Sequence, residues 1–108
     1  TLNYLPQAEE TEIVLARVPA MNDAAGRQLA AAMVAVASLT RHGYAAGDLA
    51  CLMSPRTVIT WAENCQIFRD PAQAFRLSFL NKCDEAERPM VAEYYQRCFN
   101  EELLASQA

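Results

Sequence analysis

Two short motifs, Ser54-Pro55 and Asp70-Pro71, predict where helices begin, and they divide the chain more sharply than any other feature. Serine and aspartate accept hydrogen bonds from the free N–H groups of a first helical turn, and proline suits the first helical position because its missing N–H would have no partner there. Pro19 predicts the end of an earlier helix, because proline interrupts the hydrogen bonding inside one. We therefore expect a series of separate helices.

Apolar residues recur at helical spacing in five segments between these signals. The predicted helices cover residues 7–18, 22–42, 55–68, 71–83 and 84–104, with a turn bracketed by Gly43 and Gly47 and with Pro89 near the start of the last helix. Residues 1–5 have the character of an extended strand, which Pro6 closes. The predicted fold class is all-α, a small bundle of about five helices preceded by one strand segment. The side chains expected to face the core are Leu29, Met33, Val36 and Thr40, then Val58, Trp61, Ala62, Cys65 and Phe68, then Phe75, Phe79 and Cys83, and finally Val91, Tyr94, Cys98 and Phe99.

Composition and charge exclude several classes of function. A chain of 108 residues fits one compact domain or a piece of a larger protein. Its formal net charge of -4 argues against nucleic acid as the main partner, which usually requires a basic surface. No apolar run approaches the roughly 20 residues that span a bilayer. The polar start of the chain has no signal-peptide pattern, so a cytoplasmic location is expected. The acidic pair Glu9 and Glu10 is expected to lie on a solvated face.

The residues that catalysis usually requires are scarce. The chain has one lysine, Lys82, and three glycines, which excludes a glycine-rich phosphate loop. Its one histidine, His42, has no serine or cysteine arranged around it as a nucleophile, and a zinc site is equally unsupported. The four cysteines form no CxxC pair and are expected to be buried free thiols. By itself this chain is not expected to be an enzyme.

Arg56 is the residue that a plain helix start does not explain. A cation in the first helical turn faces the positive end of the helix dipole, at a cost of about 0.3–1 kcal/mol. An anion at the helix end reverses that cost, because the free N–H groups, the dipole and the guanidinium then act together. Arg56 is therefore a candidate phosphate contact. The alternative from spacing alone is a solvated surface arginine.

Longer runs of sequence carry a family resemblance. The sequences N-Y-L-P at 3–6, M-S-P-R-T-V-I-T-W-A-E-N at 53–64, F-L-N-K-C-D-E-A-E-R at 79–88 and V-A-E-Y-Y-Q-R at 91–97 resemble the C-terminus of the ATPase subunit of aerobic cobaltochelatase. That subunit is an AAA+ ATPase of the MoxR-like kind, and the resemblance covers nearly the whole chain. It implies that residues 7–108 are a helical lid domain and that residues 1–6 are the last strand of an ATPase core.

The resemblance also implies roles for particular residues. Arg56 takes the place of the sensor-2 arginine, which contacts the γ-phosphate of ATP. Leu5, Pro6 and Ile13 take places that often border the adenine pocket. ATP and Mg²⁺ are implied for the full-length protein, with the residues that hold them before Thr1, and neither is expected in this segment alone.

The implied activity is ATP hydrolysis coupled to cobalt insertion into a corrin ring in cobalamin biosynthesis. The implied partners are the ATPase core, neighbouring subunits of a homo-oligomeric ring and the other cobaltochelatase subunits. Three alternatives remain open at this point: the lid of another MoxR-like ATPase, a non-catalytic helical interaction module, and a helix-turn-helix DNA-binding domain, which the acidic balance disfavours.

Overall fold

The computed structural model describes residues 5–99 as five α-helices. They are α1 (Gln7–Arg17), α2 (Ala24–Ala45), α3 (Pro55–Phe68), α4 (Pro71–Ser78) and α5 (Arg88–Phe99), with single 3₁₀ turns at Pro19–Met21, Leu80–Lys82 and Glu85–Glu87. The predicted all-α bundle of about five helices is confirmed. The predicted strand falls mostly on residues 1–4, which lie outside the described residues; Leu5 and Pro6 belong to no regular element.

The helix-start signals act as the sequence predicts. Ser54 Oγ accepts from the Thr57 N–H, Asp23 accepts from the Gly26 N–H, and Asp70 accepts from the N–H groups of Ala72 and Gln73. Each cap satisfies N–H groups that have no partner inside the helix. The boundaries of α1 and α3 agree with the prediction to within one residue.

The second helix is longer than predicted, and the expected turn from Gly43 is wrong. The helix continues to Ala45, and Gly47, with φ of 86°, takes the left-handed conformation beyond its end. Gly43 is buried because α5 approaches closely: a Cβ there would lie 2.9 Å from Tyr94 Oη and 3.0 Å from Leu49 Cδ1. This glycine serves packing rather than chain reversal.

The long helix α2 lies at the centre of the bundle, in contact with α1, α3 and α5, and α3 packs in turn on α4. One end of the core is an aromatic cluster around Trp61, whose ring centroid is 4.7 Å from that of Phe75 and 5.6 Å from that of Phe99. Tyr95 stacks on Phe99 with centroids 4.4 Å apart. The Trp61 indole N–H donates to the Pro71 carbonyl at 3.0 Å, so its polar atom is satisfied within the core.

Some predicted core positions are shifted. Phe68 is 46% exposed at the last position of α3. On α5 it is Tyr95 that is fully buried, whereas its predicted neighbour Tyr94 is half-buried. The helix α4 ends at Ser78, so Phe79 and Cys83 reach the core from the turns that follow it.

A buried ion pair joins α1 to α2, and it contradicts the expectation that Glu10 is solvated. Both carboxylate oxygens of Glu10 accept from the guanidinium of Arg41 at 2.7 Å, and the two residues are 1% and 8% exposed. The Arg41 Nε–H donates to the Met53 carbonyl at 2.7 Å. Every polar atom of the Glu10 carboxylate is thus paired where water is excluded, which is what makes burial of a charge tolerable.

Removing one partner of this pair should destabilise the bundle strongly. Glu10→Ala leaves the Arg41 charge buried without its carboxylate, and we expect the free energy of unfolding to fall by about 3–5 kcal/mol. The neighbouring exposed Glu9 provides a matched control, since Glu9→Ala should change it by less than about 0.5 kcal/mol. Urea denaturation followed by circular dichroism measures both. Equal effects from the two substitutions would show that the pair contributes nothing specific.

Candidate functional site

The first turn of α3 is closed by its own cap. Ser54 Oγ accepts from the Thr57 N–H at 3.2 Å and lies 3.1 Å from Thr57 Oγ1, while the Val58 N–H is bonded to the Ser54 carbonyl. Because Pro55 has no N–H, Arg56 is the one position in this first turn whose backbone N–H is left for a ligand. The sequence predicts that several backbone N–H groups of this turn act on an anion, but the N–H groups of Thr57 and Val58 are already bonded to Ser54. The Arg56 side chain must therefore supply most of the interaction with the anion.

An open groove of about 220 Å³ runs between α1 and α3 beside this turn. It is lined by Arg17, Arg56, Ile59, Thr60 and Glu63. Arg56 and Arg17 are both exposed, and neither forms a hydrogen bond or an ion pair within residues 5–99. Two guanidinium groups without carboxylate partners at one groove make a site that attracts anions.

The arrangement of charge along the groove is polarised. Thr60 and Glu63 follow Arg56 on the same stripe of α3, as the spacing predicts, so the acidic side chain lies about two helical turns from the arginine. The Thr60 hydroxyl between them can donate or accept a hydrogen bond. Along α3, the groove is thus cationic where Arg56 lies and acidic where Glu63 lies, so negative charge is favoured nearer Arg56.

Arg17 is a groove residue that sequence reasoning missed. Its position in the last turn of α1 is sufficient to explain a cation there, because positive charge is favourable at the carbonyl end of a helix. Nothing in the sequence indicates that this helix end and α3 border the same groove. Periodicity on α1 offers one indirect signal, because Ile13 and Arg17 are one turn apart on an exposed face.

The other predicted site residues lie on the α1 side of the bundle. Leu5 and Pro6 immediately precede α1 and are exposed, Leu5 by 49%. Ile13 is 39% exposed, unusually open for an isoleucine on the helix that packs against α2. Ile13 lies on the helix that carries Arg17, but none of Leu5, Pro6 and Ile13 is among the residues that line the groove. Their predicted contact with adenine stays a prediction.

Next to the cap of α3, the segment before Arg56 is anchored to α2 at Met53. The Met53 N–H donates to Thr40 Oγ1 at 3.0 Å, and the Met53 carbonyl accepts from Arg41 at 2.7 Å. Thr40 itself donates to the Ala37 carbonyl, so both of its hydroxyl functions are used. Buried hydrogen bonds on both sides of Met53 fix where the chain enters α3 and hence where Arg56 begins.

All four cysteines are free thiols, at positions 51, 65, 83 and 98. Burial raises the pKa of each thiol above its ordinary value. Within residues 5–99 there is no group of three histidine, cysteine or acidic side chains able to hold a metal ion. In the same range, none of the helices has both the length and the apolar content that a membrane span requires.

Comparison with known proteins identifies the family. The profile of the CbbQ/NirQ/NorQ C-terminal domain matches residues 10–91, which include both helix starts and both arginines of the groove. The chain belongs to the CbbQ/NirQ/NorQ C-terminal domain family. This domain is also 58% identical over 103 residues to aerobic cobaltochelatase subunit CobS of Sinorhizobium sp., and the match covers 95% of the chain. The resemblance predicted from the sequence is confirmed.

The CobS relative is much longer than this CbbQ/NirQ/NorQ C-terminal domain. The chain spans 31% of the length of the CobS relative, so it corresponds to about a third of that protein. No solved structure matches the chain. The geometry of the groove is therefore inferred from the residues of this domain alone.

The cap on α3 should control the position of Arg56. Ser54→Ala removes the acceptor for the Thr57 N–H, and we expect it to lower the free energy of unfolding by about 1 kcal/mol. Ser54→Thr retains a hydroxyl in the capping position and should lower it much less. Chemical denaturation of the two variants, side by side, provides the comparison. If both variants lost stability equally, the hydroxyl would not be acting as the cap.

Proposed function

We propose that this domain is the C-terminal lid of an AAA+ ATPase subunit of cobaltochelatase, and that Arg56 contacts the terminal phosphate of ATP. The observation that carries the proposal is the groove, which is lined by Arg56 in the first turn of α3 and by Arg17 on α1, two guanidinium groups without ion-pair partners in the described residues. The 58% identity to aerobic cobaltochelatase subunit CobS supports the choice of family member. Together, the cationic groove and the similarity to CobS support a domain that responds to nucleotide.

The proposed task of Arg56 follows from the chemistry of its side chain. A guanidinium is always charged, and its planar fork can donate two parallel hydrogen bonds to one phosphate. Such a donor stabilises negative charge that develops on a phosphoryl group during transfer. Mg²⁺ would be held by residues of the ATPase core, outside this domain, and would supply positive charge that offsets the charge of the phosphates. Arg17 would add a second positive charge at the same groove.

The same proposal gives the start of the chain a role. Residues 1–6 would be the last strand of the ATPase core, and residues 7–108 would form the lid. Leu5, Pro6 and Ile13 would border the adenine ring, and the exposure of Leu5 and Ile13 leaves both side chains open to such a contact. The lid would turn against the core when nucleotide binds, a hinge-type change.

The proposed full-length protein would couple ATP hydrolysis, in a homo-oligomeric ring, to cobalt insertion into a corrin ring by the other cobaltochelatase subunits. The second candidate is the lid of another ATPase of the same family, because the matching profile spans CbbQ, NirQ and NorQ proteins. Reconstitution separates the two. ATP-dependent cobalt incorporation by the full-length protein with cobaltochelatase subunits supports the first, and ATP turnover without cobalt incorporation supports the second.

Substitution of Arg56 tests the proposed phosphate contact directly. In the full-length protein, Arg56→Ala should reduce the rate of ATP turnover by at least about tenfold, because it removes a charge-assisted donor from the transferred phosphate. Arg17→Ala should have a smaller effect in the same direction, since Arg17 adds charge at the groove. Steady-state phosphate release at saturating ATP measures both.

The matched control is an arginine on another helix. Arg97 is exposed on α5 and pairs with Glu93 one turn away, so Arg97→Ala removes the same side chain outside the groove. Its turnover should equal that of the unsubstituted protein. Thermal denaturation of each variant verifies that the fold is intact. An Arg56→Ala protein that folds and hydrolyses ATP at the normal rate would rule out the proposed contact.

A further inference from the structure

Cys51 and Cys83 lie side by side although 32 positions separate them in the chain. Their sulfur atoms are 3.2 Å apart. Cys51 is half-buried, whereas Cys83 is 4% exposed. Neither residue lies in an α-helix: Cys51 belongs to the irregular segment 46–54, and Cys83 joins two 3₁₀ turns. The two thiols therefore meet where side chains and local backbone can adjust.

The surroundings of the pair are ordered by further hydrogen bonds. Cys83 Sγ lies 3.5 Å from the Phe79 carbonyl, to which its S–H can donate, and Cys51 Sγ lies 3.5 Å from Glu87 Oε1. The other oxygen of Glu87 accepts from the Ala50 N–H at 2.9 Å. Glu87 thus holds the segment that carries Cys51 against the turn that follows Cys83.

We propose that Cys51 and Cys83 form a dithiol site that a small-molecule disulfide oxidises to an intrachain cross-link. A disulfide bond is about 2.0 Å long, so the two sulfur atoms must approach by only about 1.2 Å, which side-chain rotation can supply. Neither cysteine lines the groove between α1 and α3, and the proposal does not rest on the proposed function.

The reaction balances as two thiol–disulfide exchanges. The Cys51 thiol loses its proton, and its sulfur attacks one sulfur of the reagent, whose S–S bond breaks and releases one thiolate. The Cys83 thiol then loses its proton and attacks Cys51 Sγ, which breaks the mixed disulfide and releases the second thiolate. Two protein thiols are oxidised, and one reagent disulfide is reduced to two thiols. Cys51 reacts first because it is the more exposed of the pair.

The electrostatic surroundings make this exchange slow at neutral pH. Burial raises the pKa of both thiols, and the carboxylate of Glu87 adds to the rise for each. Asp84 also raises the pKa of Cys51, whereas Arg88 offsets part of the rise in the pKa of Cys83. The thiolate is the reactive form, so the rate of cross-linking should increase about tenfold per unit of pH below the pKa of Cys51.

The cross-link would tie the segment that enters α3 to the turn that enters α5. It would also restrict the unfolded chain, because residues 51 to 83 would form a closed loop. We expect the midpoint of thermal unfolding to rise by at least about 5 °C in the oxidised protein.

Peptide mapping tests the proposal on the intact protein, with oxidised glutathione as the probe. Tryptic cleavage places the cysteines in different peptides: Cys51 in 42–56, Cys65 in 57–69, and Cys83 in 83–97, because the bond between Arg88 and Pro89 resists trypsin. After oxidation, a species joining peptides 42–56 and 83–97 should accumulate, and reduction with dithiothreitol should remove it. The thermal midpoint should rise with the same time course.

Single substitutions define the order of the two steps. Cys83→Ser should stop at a stable glutathione adduct on Cys51, and Cys51→Ser should yield no cross-link. Cys65→Ser, which removes a thiol outside the pair, should cross-link normally. The proposal is overturned if the unsubstituted protein keeps a glutathione adduct on Cys51, joins any other pair of cysteines, or remains fully reduced. An unchanged thermal midpoint in the cross-linked protein would overturn the constraint on the bundle.

Discussion

The buried pair of Glu10 and Arg41 fixes the geometry on which the candidate site depends. It joins α1 to α2, and the third donor of the same guanidinium holds the Met53 carbonyl, one residue before the cap of α3. A charge pair out of water is stable when all its hydrogen bonds are made, and costly when one is lost. The start of α3 and the helix α1 are therefore positioned relative to the same α2 residue, and these are the two helices that border the groove.

Local chemistry in the sequence was enough to predict most of the architecture. Ser54-Pro55 and Asp70-Pro71 begin helices because caps and prolines act on adjacent backbone groups, and no distant contact is needed. The close approaches could not be predicted in this way. Gly26 has no distinctive sequence context, yet a Cβ on it would lie 2.0 Å from the Met21 carbonyl oxygen. That requirement arises from how the 3₁₀ turn folds back on α2, which periodicity does not encode.

The candidate site likewise contains residues that local sequence can indicate and residues that depend on tertiary contacts. Arg56 could be found from sequence because its charge conflicts with the local helix dipole, a conflict that is visible within one turn. Arg17 could not, because its charge agrees with the dipole at the end of α1 and its relation to α3 is tertiary. The expectation that Glu10 is solvated is wrong for a related reason. Beside Glu9 it looks like part of a solvated acidic face, and only the position of Arg41, 31 residues later, shows that it is buried.

The relative strengths of these interactions bear on how the proposed lid would respond to nucleotide. A charge-assisted hydrogen bond from an exposed arginine contributes about 1.5–3 kcal/mol, whereas disrupting a buried ion pair costs about 3–5 kcal/mol. A phosphate contact at Arg56 is thus weaker than the pair that joins α1 to α2, and the guanidinium of that pair also holds the Met53 carbonyl at the entry to α3. The bundle would move as one body, and the change of backbone angles would fall outside it, near Leu5 and Pro6, where the described chain has no regular structure. Under the proposed function, the buried pair converts a contact at one side chain into rotation of the whole domain.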